Sequence, residues 1–516
     1  ECLKARWSAL LGNSILGRLY GWWLYSAIFR ILRGIYRPFS RAFPHSAVVR
    51  FLRRSPKVEV WYRASLFTRI VDAVWNFLLR VFGAVFRYLR PAAATSLIVR
   101  LVSGSRLLRF DVILGGFVFV MFITPHAMWS NSYAVLAAVG LFGLWFLMSA
   151  AGSREKVYPK ALGLPFLLFL MACVGSLMFT SAFSDSFRIL LFFIAAFLLT
   201  FVIMADTTDE RRLRSLMGWI YAAVILTALY AIAQRFMGVE VSASYTDLDL
   251  NAGVPGRVYS TLDNPNNYAE FLVLFTPLCV SFAMNRRNPT LRFVLCCCIV
   301  FPLAAIVMTY SRSSWLSLAV ATVVFVYYVD KRLIPIGFVA IPLIIPFLPD
   351  SIITRFSTIF NSHDSSASHR IRTWQSLLPM LRDHGFTGIG MGPTTFADLY
   401  PSYALTGATK GVYHTQMLYM ELFVETGALG FVSFMWMILR NIKDAAFGIF
   451  RASGREAQGA LVACVASFVG IAVASVFEYI WFYPRVLFAY FILLGLCLSC
   501  IRMGREKREV DSVDRK

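Results

Sequence analysis

The chain has 516 residues, of which 58% are hydrophobic, 16% are aromatic and only 15% are charged. This composition excludes a soluble globular domain and predicts a polytopic membrane protein. The formal net charge is +22, and no recognised nucleic-acid-binding motif accompanies it. The charge therefore favours membrane lipids with anionic headgroups as partners, and nucleic acid is not expected.

Residues 1–109 form a basic region ahead of the main hydrophobic block, with 19 Lys or Arg against 3 Asp or Glu. From Ala64 to Arg90, charged and apolar side chains recur at three- and four-residue steps, which is typical of an amphipathic helix. We expect basic amphipathic N-terminal helices at the cytoplasmic membrane face. A coupling role with a cytoplasmic partner stays open.

Hydrophobic runs of near-bilayer length fill residues 110–505, and a charged cytoplasmic tail follows at 506–516. Because every backbone polar group must be satisfied inside lipid, the runs predict an all-α polytopic membrane protein with about 12 transmembrane helices. The predicted spans are Phe110–Thr124, Tyr133–Met148, Ala161–Phe179, Phe187–Met204, Leu216–Ala233, Tyr268–Met284, Leu291–Tyr310, Ser314–Tyr328, Leu333–Leu348, Gln416–Leu439, Ala457–Phe477 and Val486–Ile501.

Basic loops alternate with cation-poor loops along these spans, which indicates the orientation of the chain. The positive-inside rule places the basic loops and both termini in the cytoplasm. Two long connections, 238–265 and 349–413, then lie on the outer side, the second directly before the tenth span. In it, SHRIRTWQSLLPMLRDHGF predicts an amphipathic helix and GIGMGP a glycine-rich turn.

Few cations lie on the outer side, so those that do are candidate site residues: Arg257 before the sixth span, Arg312 between two spans, Arg370 and Arg372 in the long loop, and His414 at the tenth span. Guanidinium groups match phosphate oxygens bidentately, and a histidine exchanges protons near neutral pH. Arg257, Arg312 and His414 therefore predict a diphosphate leaving-group site with a base beside it. Each residue also has a simpler alternative. Arg257 could be an ordinary loop residue, Arg312 could reach outer headgroups, and His414 could cap a helix.

Two glutamates share the tenth span with His414. If all three lie on one helix, the spacing of seven and four residues puts His414, Glu421 and Glu425 on one face, turned into the bundle. Either glutamate could orient His414, pair with an arginine or serve a structural role. Asn264, Asn266 and Asn267 precede the sixth span, where asparagine also serves as a helix cap. The nine cysteines show no metal-ligand spacing, so no metal and no cofactor is expected.

Four pieces of sequence, in this order and membrane context, resemble the O-antigen ligase and polymerase superfamily: RVYSTLDNPNNYAEFL, TYSRSSWLSL, HRIRTWQSLLPMLRDHGFTGIGMGPTTF and HTQMLYMELFVETGALG. The resemblance covers residues 110–505, most strongly 255–432, and excludes residues 1–109. Thr415 departs from the pattern, since relatives often carry Asn at that position.

The resemblance implies a metal-independent membrane glycosyltransferase in a bacterial cytoplasmic membrane. Such enzymes move a glycan from an undecaprenyl-diphosphate carrier to an acceptor hydroxyl of a glycan, lipid or protein on the outer side. It implies that Arg257 and Arg312 bind the diphosphate and that His414 activates the hydroxyl or otherwise assists transfer. The expected substrate-binding residues are Arg257, Arg312, Arg370, Asn266 and Glu425.

Three alternatives stay open. The motifs are common to a polymerase and a ligase, so the sequence leaves the type of transfer undecided. A transporter of an anionic solute or lipid-linked glycan would place ionisable residues in the middle of several spans, whereas here they lie at outer helix ends. A scaffold would depend on the basic N-terminal region alone.

Overall fold

A computed structural model describes residues 15–27, 29–31, 33–34, 38, 57–95, 109–238, 256–262, 264–337, 346, 349–357, 365–405 and 412–513. Every regular element in these ranges is helical, as the composition and hydrophobic runs predict. The α-helices are α1 Ile15–Tyr25, α2 Lys57–Ala64, α3 Leu66–Thr95, α4 Phe110–Ile123, α5 Asn131–Ala150, α6 Leu164–Ser176, α7 Phe183–Asp206, α8 Glu210–Met237, α9 Pro265–Met284, α10 Pro289–Cys298, α11 Val300–Met308, α12 Arg312–Asp330, α13 Asp350–Ser357, α14 Ser365–His384, α15 Pro393–Leu399, α16 Leu418–Gly448, α17 Arg455–Phe477 and α18 Pro484–Val513. Short 3-10 turns are His126–Met128, Pro159–Ala161, Lys331–Leu333, Tyr400–Ser402 and Ile449–Arg451.

Nine helical segments of the described chain are long and apolar enough to cross a membrane, and α4 and α6 are shorter apolar helices. Each predicted span except the ninth coincides with one of these helices. The ninth, Leu333–Leu348, lies mostly outside the described residues. The seventh consists of α10 and α11, which meet at Ile299. Pro302 has no backbone N–H to donate to the carbonyl of Cys298, which accounts for the break.

The centre of the bundle is formed by α9, α17 and α18, the most deeply buried spans. Small side chains on α17 allow its neighbours to approach closely. A Cβ on Gly470 would lie 2.9 Å from the backbone oxygen of Ser317 on α12, so a larger residue would separate the two helices. The small residues of α17, Gly470 among them, therefore set the distance between α12 and the core.

The predicted amphipathic helix of the N-terminal region is α3, and it packs along α5. Lys160 Nζ pairs with Asp72 at 2.5 Å, and the Tyr158 hydroxyl donates to Asn76 at 3.0 Å. Trp75 packs edge-on against Phe146. The opposite face of α3 exposes a row of large apolar side chains, which is the arrangement that an interfacial helix requires.

Two antiparallel helices connect the ends of the bundle. Helix α9 runs from Asn266 in its first turn towards Arg286, whereas α17 runs from Glu456 towards Glu478. Asn266 contacts Glu478 at one end of the pair, and Arg286 contacts Glu456 at the other. The 20-residue α9 therefore separates two polar clusters by about 30 Å, at about 1.5 Å per residue.

Candidate active site

Three non-glycine residues adopt a left-handed backbone conformation in the described chain: Ser260, Tyr310 and Gln416, with φ of 53°, 52° and 56°. Each lies two or three residues from a predicted site residue, namely Arg257, Arg312 or His414. Such conformations cost about 1–3 kcal/mol each and persist only where surrounding contacts enforce them. The strain in this part of the chain is therefore concentrated around the candidate site.

The segment 256–262 brings Arg257 to the start of α12. The Arg257 Nε atom donates to the carbonyl of Thr309 at 2.7 Å, and the backbone N–H of Val258 donates to Met308 at 3.3 Å. Thr309 is three residues before Arg312, the first residue of α12. The two predicted arginines thus come from segments that are packed together.

Two helix N-termini meet at Arg257. Asn264 caps α9 by accepting from the N–H groups of Asn266 and Asn267, whereas the Asn266 side chain accepts from Arg257 Nη2 at 2.5 Å. Neither α9 nor α12 has an acidic residue in its first turn, and α12 begins with Arg312 itself. A cation at the positive end of a helix dipole is unfavourable, whereas an anion there is stabilised.

Glu478 is the carboxylate that holds the site together, and the sequence analysis did not identify it. Its Oε1 accepts from Asn266 Nδ2 at 3.1 Å and from Arg370 Nη2 at 2.6 Å. Its backbone carbonyl accepts from the N–H of Leu418 at the start of α16. One sequence signal was present: Glu478 is the only acidic residue between Glu456 and Glu506, and it follows an apolar span directly.

Arg370 connects the long loop with the segment that carries His414. The Arg370 Nε atom donates to the side chain of Gln416 at 3.0 Å. One helical turn later, the indole N–H of Trp374 donates to the carbonyl of Thr415 at 3.0 Å. Both contacts originate on α14, the helix predicted for the loop. The loop helix therefore fixes the backbone on the C-terminal side of His414.

His414 lies outside the helix in which the sequence analysis placed it. The spacing of seven and four residues put His414 on the inward face of the helix that carries Glu421 and Glu425, but α16 begins at Leu418. The left-handed Gln416 prevents the helix from extending further, and Thr415 Oγ1 accepts from the N–H of Met417 at 3.3 Å. The prediction that His414, Glu421 and Glu425 share one helical face is therefore wrong.

The imidazole of His414 packs between aromatic rings and is neutral near pH 7. Its ring centroid is 4.7 Å from that of Phe482 and 5.9 Å from that of Tyr479. Burial lowers its pKa to about 4, and the positive charge of Arg370 adds to this effect. Its Nδ1 atom accepts from the N–H of Gln416 at 3.1 Å, which leaves Nε2 as the protonated nitrogen of the neutral ring.

Both glutamates of α16 are buried and bind backbone groups around the site. Glu421 accepts from the N–H of Thr415 at 2.5 Å. Glu425 accepts from the N–H of Gly392 at 2.7 Å and from the hydroxyl of Tyr479 at 3.3 Å. Tyr479 therefore lies between Glu425 and His414, with its hydroxyl on Glu425 and its ring against the imidazole. Both glutamates hold neighbouring groups in place.

The predicted glycine-rich turn packs against a break in α16. Gly388 and Gly427 have φ of 77° and 68°, and each would place a Cβ 2.4 Å from a carbonyl oxygen of the opposite segment. The N–H groups of Ile389 and Gly390 donate to Val424 and Glu425 across this contact. The break in α16 and the turn of the loop therefore fix each other beside Glu425.

Part of the chain matches a known protein family. The model of the O-antigen ligase family matches residues 297–435, which include Arg312, Arg370 and His414. The chain is 25% identical over 328 residues to a ComP-specific O-oligosaccharyltransferase of Acinetobacter baylyi, across 59% of this chain and 57% of that protein.

A general O-oligosaccharyltransferase of the same organism is 26% identical over 249 residues, across 43% of this chain and 40% of that protein. The chain thus spans about half the length of the curated relatives it matches. Together with the helical architecture, these matches lead to one conclusion. The chain is a multi-pass membrane protein that is similar to O-oligosaccharyltransferases and matches the O-antigen ligase family over residues 297–435.

Proposed function

We propose that this protein is a membrane glycosyltransferase that moves a glycan from an undecaprenyl-diphosphate carrier to an acceptor hydroxyl. One observation carries the proposal: Arg257 and Arg370 are joined through Asn266 and Glu478, next to the start of α12 at Arg312 and to a neutral histidine. The carboxylate that contacts these cations is Glu478, and the buried Glu270 lies one turn after Asn266 on α9. Because cations and helix N-termini outnumber these carboxylates, a bound diphosphate would be stabilised here.

In this proposal Arg257 and Arg312 bind the diphosphate. During transfer the bond between the anomeric carbon and the diphosphate oxygen breaks, and the acceptor oxygen forms the new glycosidic bond. Negative charge then grows on the leaving diphosphate, where fixed guanidinium groups stabilise it without reorganisation. The guanidinium charge supplies this stabilisation, so the proposed reaction needs no metal ion and no cofactor.

His414 takes the proton that leaves the acceptor hydroxyl. The neutral ring holds its proton on Nε2 while Nδ1 accepts from Gln416, so the base form requires the bond from Gln416 to open or the tautomer to change. A pKa of about 4 makes the free ring a weak base. A bound diphosphate would offset the charge of Arg370 and raise the pKa of His414, so donor binding would activate the base.

Asn266, Glu425 and Arg370 complete the site. Asn266 joins Arg257 to Glu478 through both ends of its amide. The oxygens of Glu425 already accept from Gly392 and Tyr479, so we assign Glu425 a positioning role towards the ring beside His414. Arg370 reaches substrate once a diphosphate competes with Glu478 for its guanidinium group.

Transfer of a preassembled glycan, as in a ligase, is the preferred form of the reaction. The two relatives are named O-oligosaccharyltransferases, which favours an oligosaccharide donor and an acceptor such as a protein hydroxyl. The alternation of basic and cation-poor loops supports a location in the bacterial cytoplasmic membrane with the site outside and both termini in the cytoplasm.

The proposal is tested by His414→Ala at the native locus, with His384→Ala as the matched control on α14. Surface glycoconjugates and lipid-linked intermediates are profiled together by gel electrophoresis and mass spectrometry. Accumulated lipid-linked oligosaccharide without conjugate supports the ligase, and accumulated single repeat units without long chains support a polymerase. An unchanged profile with normal membrane levels of the protein would refute the role of His414 and favour a transporter or scaffold.

A further inference from the structure

A second polar cluster lies at the end of the bundle opposite the candidate active site. The start of α8, the end of α9 and the start of α17 enclose a cavity of about 540 Å³. Four arginines and two glutamates line it: Arg214, Arg286, Arg287, Arg455, Glu210 and Glu456. By the positive-inside rule this end faces the cytoplasm.

Both glutamates of this cavity already have partners. The buried Glu456 carboxylate accepts from Arg286 Nη2 at 2.8 Å with each of its oxygens, and from Arg214 Nε at 3.1 Å. Glu210 accepts from the backbone N–H of Glu456 at 3.1 Å. Glu456 therefore pairs with both Arg214 and Arg286, and Glu210 fixes the start of α17.

Arg287 and Arg455 are the arginines left over. Both are exposed at the cavity, and within the described part of the chain neither forms an ion pair or a side-chain hydrogen bond. Arg455 is also the first residue of α17, where the helix dipole disfavours a cation. The cavity thus holds a net positive charge that no described protein group compensates.

The backbone around the cavity is packed too closely to be an incidental surface. A Cβ on Gly454 would lie 2.1 Å from Glu210 Oε1, and a Cβ on Gly459 would lie 2.3 Å from Asn285 Nδ2. Asn285 is itself buried and lines the cavity. Glycine at both positions lets α17 approach the polar groups of α8 and α9 directly.

We propose that this cavity binds a phosphate-bearing anion, with Arg287 and Arg455 as its ligands. Planar guanidinium groups bind phosphate oxygens bidentately, and two of them on different helices are stabilised by an anion between them. The phosphate belongs either to the headgroup of an anionic phospholipid or to a small cytoplasmic compound. The site is separate from the proposed diphosphate site and does not depend on the proposed transfer activity.

The test uses the purified full-length chain in uncharged detergent. The thermal unfolding midpoint is measured with short-chain phosphatidylglycerol, with short-chain phosphatidylcholine and with glycerol phosphate, at ionic strength matched by sodium chloride. The variant is R287Q/R455Q, and the control is R211Q/R451Q, which removes two exposed arginines from the same end of the bundle but outside the cavity. A ligand that binds only the folded state raises the midpoint, and at a given concentration a tighter ligand raises it further.

We expect a phosphate-bearing probe to stabilise the wild type and the control, and R287Q/R455Q to bind it about tenfold or more weakly. Stabilisation by phosphatidylglycerol alone identifies a lipid headgroup, and stabilisation by glycerol phosphate as well identifies a soluble compound. Two results would overturn the proposal: no stabilisation beyond that of phosphatidylcholine and salt, or equal loss in both double variants.

Discussion

Glu478 and Arg370 form an ion pair of 2.6 Å that joins the end of α17 to the loop helix α14. The same carboxylate oxygen accepts from Asn266, whose amide in turn holds Arg257. The Glu478 carboxylate therefore aligns two of the three arginines of the candidate active site, Arg370 directly and Arg257 through Asn266. This arrangement gives Glu478 the position of a counter-ion that orients the cations.

Replacing Glu478 separates the charge of this group from its hydrogen bonds. Glu478→Gln keeps an acceptor for Asn266 but loses the ion pair, and we expect transfer to slow about tenfold to 100-fold because the arginines lose their alignment. Glu478→Ala removes both contacts and should slow transfer further. Rates are measured in single turnover, with Asp398→Asn on the same outer side as the control. Wild-type rates in Glu478→Gln would contradict the positioning role.

Arg257 needs its planar fork as well as its charge. Lysine at this position cannot reach Thr309 and Asn266 at once, so Arg257→Lys should lower kcat about 100-fold although the charge is kept. The matched control is Arg188→Lys, an exposed arginine at the same end that pairs with Asp185. Equal effects of the two substitutions on kcat would show that only overall charge matters.

The pH dependence of transfer reports the protonation of His414. Its pKa is lowered to about 4, so the ring is neutral above that pH and is lost as a base when the pH falls through it. The plot of kcat/KM against pH should therefore have its acid limb near pH 4 in the free enzyme. The limb of kcat should lie higher, because a bound diphosphate raises the pKa of the ring.

The charge of Arg370 is the second cause of the lowered pKa of His414, and burial is the first. Arg370→Gln should move the acid limb of kcat/KM upward while keeping it below 6.5, the ordinary histidine value, since burial remains. Arg372→Gln, two residues away on α14 and exposed, should leave the limb in place. An acid limb that does not move in Arg370→Gln would exclude electrostatic coupling between Arg370 and His414.

Gly427 fixes the break in α16 and should tolerate no side chain. Gly427→Ala adds a Cβ 2.4 Å from the carbonyl oxygen of Phe386 at a φ of 68°. We expect the free energy of unfolding of the purified protein to fall by about 1–3 kcal/mol or more, which lowers its thermal unfolding midpoint. Transfer should also be lost, because Glu425 shifts. Gly143→Ala in α5 has open space around it and is the control. Equal thermal stability of the two variants would argue against a rigid break.

Hydropathy and charge predicted most of the fold, because spans of bilayer length have a strong one-dimensional signal. The amphipathic helix of the long loop, now α14, was also predictable from its periodicity. The start of α16 was not, since the left-handed Gln416 depends on contacts with Arg370 and α14. Hydropathy alone predicted a start at Gln416, two residues before the observed start at Leu418.

The site was only partly predictable, and for a related reason. Arg257, Arg312 and Arg370 could be selected because arginine is rare on the outer side. Glu478 could not be joined to them, because its partners Asn266 and Arg370 are far away in sequence and meet it only in the packed bundle. The roles of these residues remain predictions for experiment.

The most direct test of the central claim is transfer in a reconstituted system. The purified protein in liposomes receives a labelled undecaprenyl-diphosphate-linked oligosaccharide and an acceptor protein, and both glycosylated acceptor and released undecaprenyl diphosphate are quantified. The account predicts equal amounts of the two products for the wild type and for His384→Ala. It predicts neither product above background for His414→Ala and Arg312→Gln. Full transfer by His414→Ala, or no transfer by a folded wild type with any lipid-linked donor, would contradict the account.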